Sequence, residues 1–312
     1  MKASVVAAQY IAHKRSLGMR FNSEERALKS FCCYVRDVPL SQIKPVQIRA
    51  FLDGRGPVTQ FWHHKYSVLR GFYRYAIAHG HLSTSPLPNF LPKAPPPFVP
   101  YIFTHDELWR LVQATATCQS PRCLLQAETL RALLLLLYGA ALRISEALSL
   151  TLGDVDLENA VLLIRESKFY KSRWVPISSD LCDVLERYIR PRGTRHRNNP
   201  NAPLFAVRTG AALTRHAAEV AFSRLRDHAG VRRKDGARYQ PRLHDLRHAA
   251  AVHRVIDWYR RDLDVQELLP LLATYLGHVH ISGTQRYLTL TSDLLQQAGR
   301  RFERYAFGAS HE

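Results

Sequence analysis

The chain has 312 residues, which is long for one domain and comfortable for two. Apolar residues make up 46% of it, enough for a sizeable core, while the formal net charge is +18 and the pI about 10.0. These values exclude a coreless chain and favour a polyanionic partner. The longest apolar run, residues 132–142, stops at Arg143 and is too short to cross a bilayer. No basic amphipathic anchor, lipidation signal or secretory leader is read, so no membrane role is expected. The cysteines are Cys32, Cys33, Cys118, Cys123 and Cys182. Their odd number, without a disulfide framework or zinc-finger spacing, suits a reducing cytosol.

Residues 3–17 carry apolar positions at Val5, Val6, Ile11 and Leu17, and Gly18 can end a helix there. Asn22 or Ser23 is a cap candidate for a second helix reaching about Arg36, with Glu24 and Glu25 in its first turn. Pro45 suits the start of a short third helix over 46–52, closed by Gly54. A fourth runs from about Val58 to His79 and ends at Gly80. Four helices with short loops make a compact helical domain. The fourth mixes aromatic and basic residues. Phe61, Leu69, Phe72 and Tyr73 are expected in the core, and Lys65, Arg70 and Arg74 at phosphates. Residues 85–100, SPLPNFLPKAPPPFVP, are too proline-rich for a helix and read as a semi-rigid linker.

Thr104 and Glu107 have capping-box spacing, so a helix is expected from there to about Ala116. Residues 124–138 read as a buried helix, broken by Gly139. Arg143 follows in AALRISEALSL, among apolar neighbours. A guanidinium cannot shed its charge, so it needs an anion there. Two readings stand: a structural pair with Glu146, or a fork onto a phosphate that Glu146 holds in place. Residues 160–164 and 173–177 read as strands joined by a polar turn over 166–172 carrying Lys168 and Lys171. A solvated tip and a tip delivering an ammonium into a groove both fit.

Residues 181–189 read as helical, 190–203 as a basic surface loop, and Thr214 as the cap of a helix to about His228. A second basic loop, 232–242, leads into RLHDLRHAAA. There His244 and Arg247 share a helical face at i, i+3, and Asp245 is read as a helix-start charge. That helix continues over 252–261, and another spans 265–273. LGHVHISGTQRYL then places His278 nine positions before Tyr287. His280 is read as surface and Tyr275 as core.

In four blocks, residues 139–150, 167–176, 244–248 and 276–287, the chain resembles the tyrosine recombinases, or phage-type integrases. The likeness extends over essentially the whole length. The stretch between Arg247 and His278 is long, with residues 258–264 extra, as in a transposon-associated branch. The resemblance implies a mainly α fold. A four-helix core-binding clamp would occupy residues 1–84, a proline-rich linker 85–101, and a helical catalytic domain with a small antiparallel sheet 102–312. It implies cleavage and rejoining of double-stranded DNA through a covalent 3′-phosphotyrosine on Tyr287. Arg143, Arg247 and His278 would bind the phosphate, His244 would act as base, and Lys168 would protonate the leaving oxygen, with Lys171 the other candidate. No cofactor, ATP or metal is expected. A homotetramer in the synaptic complex, accessory recombination proteins and a cytoplasmic, nucleoid-associated location are. The segment 292–307 is expected either to pack on a neighbouring subunit or to fold back on its own domain. Two other readings are weighed: a type IB topoisomerase, which shares this chemistry on one duplex, and a DNA-binding accessory protein without catalysis.

Overall fold

The computed structural model describes residues 1–312 except 97, 119–122, 166–171, 197–198, 238, 279, 286, 288–291 and 307–312. The chain divides into two compact units, Met1–Phe98 and Val99–Glu312.

The first unit is built from α1 (Ala3–Ser16), α2 (Asn22–Tyr34), α3 (Pro45–Asp53) and α4 (Gln60–Ala78). α1 buries Ala3, Val6, Ala7, Tyr10 and Ile11. Val5 and Leu17, expected on its apolar face, are exposed, because Tyr10 and the alanines set the phase of the stripe. α2 begins without the expected side-chain cap. Phe21 precedes it in the left-handed region at φ 51°, and that turn brings the chain into the helix. In α4 the buried side is Trp62, Lys65, Val68, Leu69, Phe72, Tyr73 and Ala76. Phe61, expected in the core, falls on the other face and is 62% exposed. Lys65, expected at a phosphate, is buried. Its ammonium donates to the carbonyls of Phe51 (2.5 Å) and Leu52 (2.6 Å) in the last turn of α3. It serves there as a C-terminal helix cap, where a cation is favoured. Arg70 and Arg74 stay exposed. The proline-rich segment lies against α4: Tyr66 donates to the Pro88 carbonyl at 3.2 Å and Gln60 to that of Pro95 at 3.3 Å.

The second unit opens on α5 (His105–Cys118), whose start is the reciprocal cap read from the sequence. Thr104 N donates to Glu107 Oε2 at 2.9 Å, and Glu107 N to Thr104 Oγ1 at 3.1 Å. α6 (Ala127–Gly139) runs through the core on Leu130, Leu133, Leu136 and Leu137. Leu124, expected inside that helix, precedes it and is exposed. After α7 (Ile144–Ser149) come β1 (Val155–Asp156), β2 (Val161–Ile164) and β3 (Arg173–Pro176), an antiparallel sheet in the order β1-β2-β3. Leu162 pairs with Val175 and Ile164 with Arg173. The turn bearing Lys168 and Lys171 lies outside the described residues.

α8 (Ser179–His196) corrects the expected basic loop at its start. Pro191 sits inside the helix and, lacking one backbone donor, does not end it. α9 (Arg215–His228) begins on Thr214, whose hydroxyl accepts from Ala217 N at 3.2 Å. α10 (Leu243–Arg260) and α11 (Val265–Leu276) follow, then α12 (Ser282–Gln285) and α13 (Ser292–Ala306). Val252, Val255, Leu269, Leu276, Tyr287 and Leu294 form a core of their own, so α13 folds back on α10 of the same chain. Among the described residues, no helix is long and apolar enough to cross a membrane.

Candidate active site

Between α6 and α7 the chain reverses through Ala141, which adopts φ 48°. Arg143 then stands just ahead of α7, and Glu146 reaches back from the first turn to accept its backbone N–H at 3.0 Å. The Glu146 side chain is almost fully buried, and guanidiniums surround it. Arg143 Nη1 donates to Oε1 at 2.7 Å. Arg173, from β3, donates to both oxygens at 3.1 Å, and Arg247 Nη1 lies 3.8 Å from Oε2. Burial alone would raise this carboxyl. The hydrogen bonds and charges of Arg173 and Arg143 outweigh it and hold the group at about 2. The pair with Glu146 read from the sequence is therefore present, and the same carboxylate also holds the Arg143 backbone.

Among the described residues, Arg247 is the largest fully buried side chain, 1% exposed. Its Nη1 donates to the Ala141 carbonyl at 2.7 Å, which the left-handed turn at Ala141 presents to it. Its Nη2 donates to the Leu276 carbonyl at 2.6 Å and to His278 Nε2 at 3.2 Å. Burial, then the Arg143 charge, lowers Arg247 to about 10, so it is still a cation at pH 7.

Gly277 ends α11 at φ +66°. A Cβ there would be strained in any case and would come within 2.8 Å of Arg173 Nη1. Its carbonyl accepts from Arg143 Nη2 at 2.9 Å, and the Tyr275 carbonyl from Arg173 Nε at 3.2 Å. The end of α11 thus supplies carbonyls to three arginines. His278 follows at once. A guanidinium only donates, so His278 Nε2 accepts from Arg247, and Nδ1 carries the proton to Thr284 Oγ1 at 2.7 Å.

Tyr287 is 1% exposed. Its ring stacks beside that of His278, with centroids 6.2 Å apart and planes at 26°. Its hydroxyl lies 3.1 Å from His248 Nδ1. His248 is buried on α10 one turn beyond His244, and the two rings meet edge to face at 4.7 Å. Burial first, then the charges of Arg247, Arg242, Arg143 and Arg215, push His244 down to about 4, so it is neutral at pH 7. Asp245 is buried on the other side. It accepts the Arg242 backbone N–H at 2.9 Å, as a helix-start charge does. His280 is exposed and Tyr275 half-buried.

Arg143, His244, Arg247, His278 and Tyr287 thus come together, and Lys168 lies outside the described residues. The sequence reading passed over Arg173, His248 and Thr284. Arg173 stands two residues past Lys171 on an amphipathic strand, and His248 directly follows Arg247. In neither case does the local pattern reveal the partner.

Chemically, the site holds three guanidiniums against the one carboxylate they share, with a phenol and three imidazoles alongside. That surplus of positive charge calls for an anion. Comparison with known proteins points the same way. The phage integrase family matches residues 102–293. The integrase/recombinase y4rB of Sinorhizobium fredii is 35% identical over 301 residues, covering 95% of each chain. The tyrosine recombinase XerD of Pseudomonas aeruginosa is 33% identical over 237 residues, covering 75% of this chain and 72% of that one. In fold, the integrase of transposon Tn1549, solved with transposon right-end DNA, superposes with a TM-score of 0.68 at 17% identity over 98% of this chain and all of that one. The buried arginine cluster and these matches give one answer: the chain belongs to the phage integrase family and is a tyrosine recombinase, an enzyme of site-specific DNA recombination.

Proposed function

We propose that this enzyme breaks and rejoins DNA strands through a covalent 3′-phosphotyrosine on Tyr287. The observation that carries the reading is the positive surplus around Glu146 with the Tyr287 ring against His278 beside it. A phosphodiester is anionic and repels nucleophiles. Attack builds further charge on its non-bridging oxygens, and fixed cations aimed at them lower the barrier. Arg143 and Arg247 clamp those oxygens, with Glu146 and the carbonyls at the end of α11 holding the guanidiniums in place. His244, expected from the sequence as the base, is neutral and donates a further hydrogen bond to the same phosphate, and His278 joins it once its Nε2 carries a proton and turns from Arg247 to the phosphate. The Tyr287 oxygen displaces the 5′ oxygen, which Lys168 protonates from the hairpin turn. The phosphodiester's energy is kept in the new bond, so the cycle consumes no ATP and asks for no metal.

The same reading assigns residues 1–84 to a DNA clamp and 102–312 to catalysis, joined by the proline-rich 85–101. Recombination joins two duplexes with two cuts in each, so four copies act together on double-stranded DNA, with α13 the candidate to exchange between them and accessory proteins to set direction. The test is a nicked substrate that traps the covalent intermediate. Its recombination site is recovered by sequencing the junctions that the active protein makes. Wild type forms an adduct, and Tyr287→Phe forms none while binding DNA comparably. An adduct that survives in Tyr287→Phe moves the nucleophile elsewhere.

A further inference from the structure

Resting on the phosphotyrosine reading above, we infer that His248 takes the proton of Tyr287 as its oxygen attacks the phosphate. A phenol with an ordinary pKa near 10 is ionised in only about one molecule per thousand at pH 7. It therefore needs an acceptor within hydrogen-bond reach. His248 Nδ1 is there, 3.1 Å from the hydroxyl, and both side chains are buried, so the pair meets in a fixed geometry. His244, the acceptor expected from the sequence, presents its ring edge-on to His248, one turn earlier on the same helix.

The charged and titratable groups around the pair fit this division of labour. On α10, His244 is held neutral and adds no positive charge against a protonated His248. Arg247, on the same helix, interacts electrostatically with Tyr287, and Arg143, ahead of α7, with Arg247. The Arg247 charge favours a phenolate. From the turn after α11, His278 stacks on the Tyr287 ring and is engaged through both nitrogens by Arg247 and Thr284. Arg247 thus stabilises the ionised phenol, while His248 removes its proton.

The step balances. The Tyr287 O–H bond breaks as an N–H bond forms at Nδ1. The phenol oxygen bonds to phosphorus as the bond to the 5′ oxygen breaks, and that oxygen takes its proton from the hairpin lysine. On rejoining, the 5′ hydroxyl displaces the tyrosine oxygen, and His248 returns the proton to it.

The test uses the full chain on the nicked substrate, with His248→Asn and His248→Gln. Both variants keep a polar side chain that takes up no proton. Adduct formation should slow by about 100- to 10,000-fold with DNA binding retained. The rate should keep rising with pH where wild type levels off. A fluorinated tyrosine at position 287, whose phenol ionises more readily, should restore much of the lost rate, which a purely structural role of His248 would not allow. Wild-type rates and pH profile in both variants would overturn the inference and leave Tyr287 as nucleophile. An adduct in Tyr287→Phe would instead overturn the reading beneath it. Should thermal melting show both variants unfolded, the wild-type chain decides: fluorination of Tyr287 leaves the onset of the plateau unmoved if His248 sets it. An onset that follows the acidity of the phenol overturns the inference.

Discussion

Two regions of this molecule bury cations, and they do so in opposite ways. In the first unit, Lys65 is taken up by two backbone carbonyls in the last turn of α3. The carbonyls are the negative end of the helix dipole, and one ammonium satisfies them. Two of its three N–H groups are used there, and the Asp53 carboxylate is the charge that favours the ammonium. In the second unit, Arg143, Arg173 and Arg247 share the Glu146 carboxylate and several carbonyls. Their charges exceed what surrounds them. A buried cation is therefore not in itself a sign of function. The informative quantity is the charge left uncompensated, and whether a reactive group stands beside it.

The largest expected effect comes from removing the one shared anion. Glu146→Gln keeps the shape and leaves three guanidiniums without a carboxylate. Breaking a buried ion pair from one side costs about 3–5 kcal/mol. Denaturant unfolding should show a loss of that order, with the adduct-forming rate falling too. The pH dependence carries the sign. The Glu146 carboxyl sits at about 2 in the folded chain against an ordinary 4.5, so its stabilisation is complete above 4.5 and is lost as pH falls through 2. Wild type should lose stability across that window more steeply than Glu146→Gln. Equal stability of the two proteins at pH 7 would break the comparison, because the arginines would then need no carboxylate.

What was legible in the sequence follows the same division. Arg143, His244, Arg247, His278 and Tyr287 could be read because each sits in a short block whose internal spacing is set by one helix or one turn. The capping box at Thr104 and the cap at Thr214 were legible for the same reason: both partners lie within four residues. Arg173 and His248 could not be read as site residues. The partners of Arg173 lie 27 and 102 residues away, and Tyr287 lies 39 residues from His248. Such separations are closed only by tertiary packing. The left-handed turns at Phe21 and Ala141 were hidden too, since neither residue type announces a positive φ. In α4 the sequence offered adjacent aromatics, Phe61 and Trp62, and the choice of face turned on Lys65, which a pattern of apolar residues places in solvent.

The second experiment asks whether Lys65 is only a cap. Lys65→Met keeps the length and apolar stem but leaves the Phe51 and Leu52 carbonyls without their donor. Buried acceptors left unsatisfied cost about 1–3 kcal/mol. The melting temperature should fall accordingly, while the rate of adduct formation per folded molecule stays that of wild type. A selective loss of cleavage or of DNA affinity, with stability intact, would place Lys65 on the phosphate side and erase the contrast between the two regions.

The smallest effect sharpens the same point. Phe61 is exposed, yet its ring lies 5.6 Å from the Lys65 ammonium, and the Phe51 ring lies closer, at 4.8 Å. If the carbonyls and the Phe51 ring hold Lys65, the outer ring adds little: a cation–π contact at an exposed site contributes about 0.5–1 kcal/mol. Phe61→Leu removes the π face and keeps an apolar side chain, so its unfolding free energy should drop by no more than that. A loss as large as that of Lys65→Met would mean that the ammonium depends on the aromatic lid as much as on the helix end. Lys65 would then be shielded from solvent by a residue that a sequence pattern had good reason to place inside, even though most of its surface faces water.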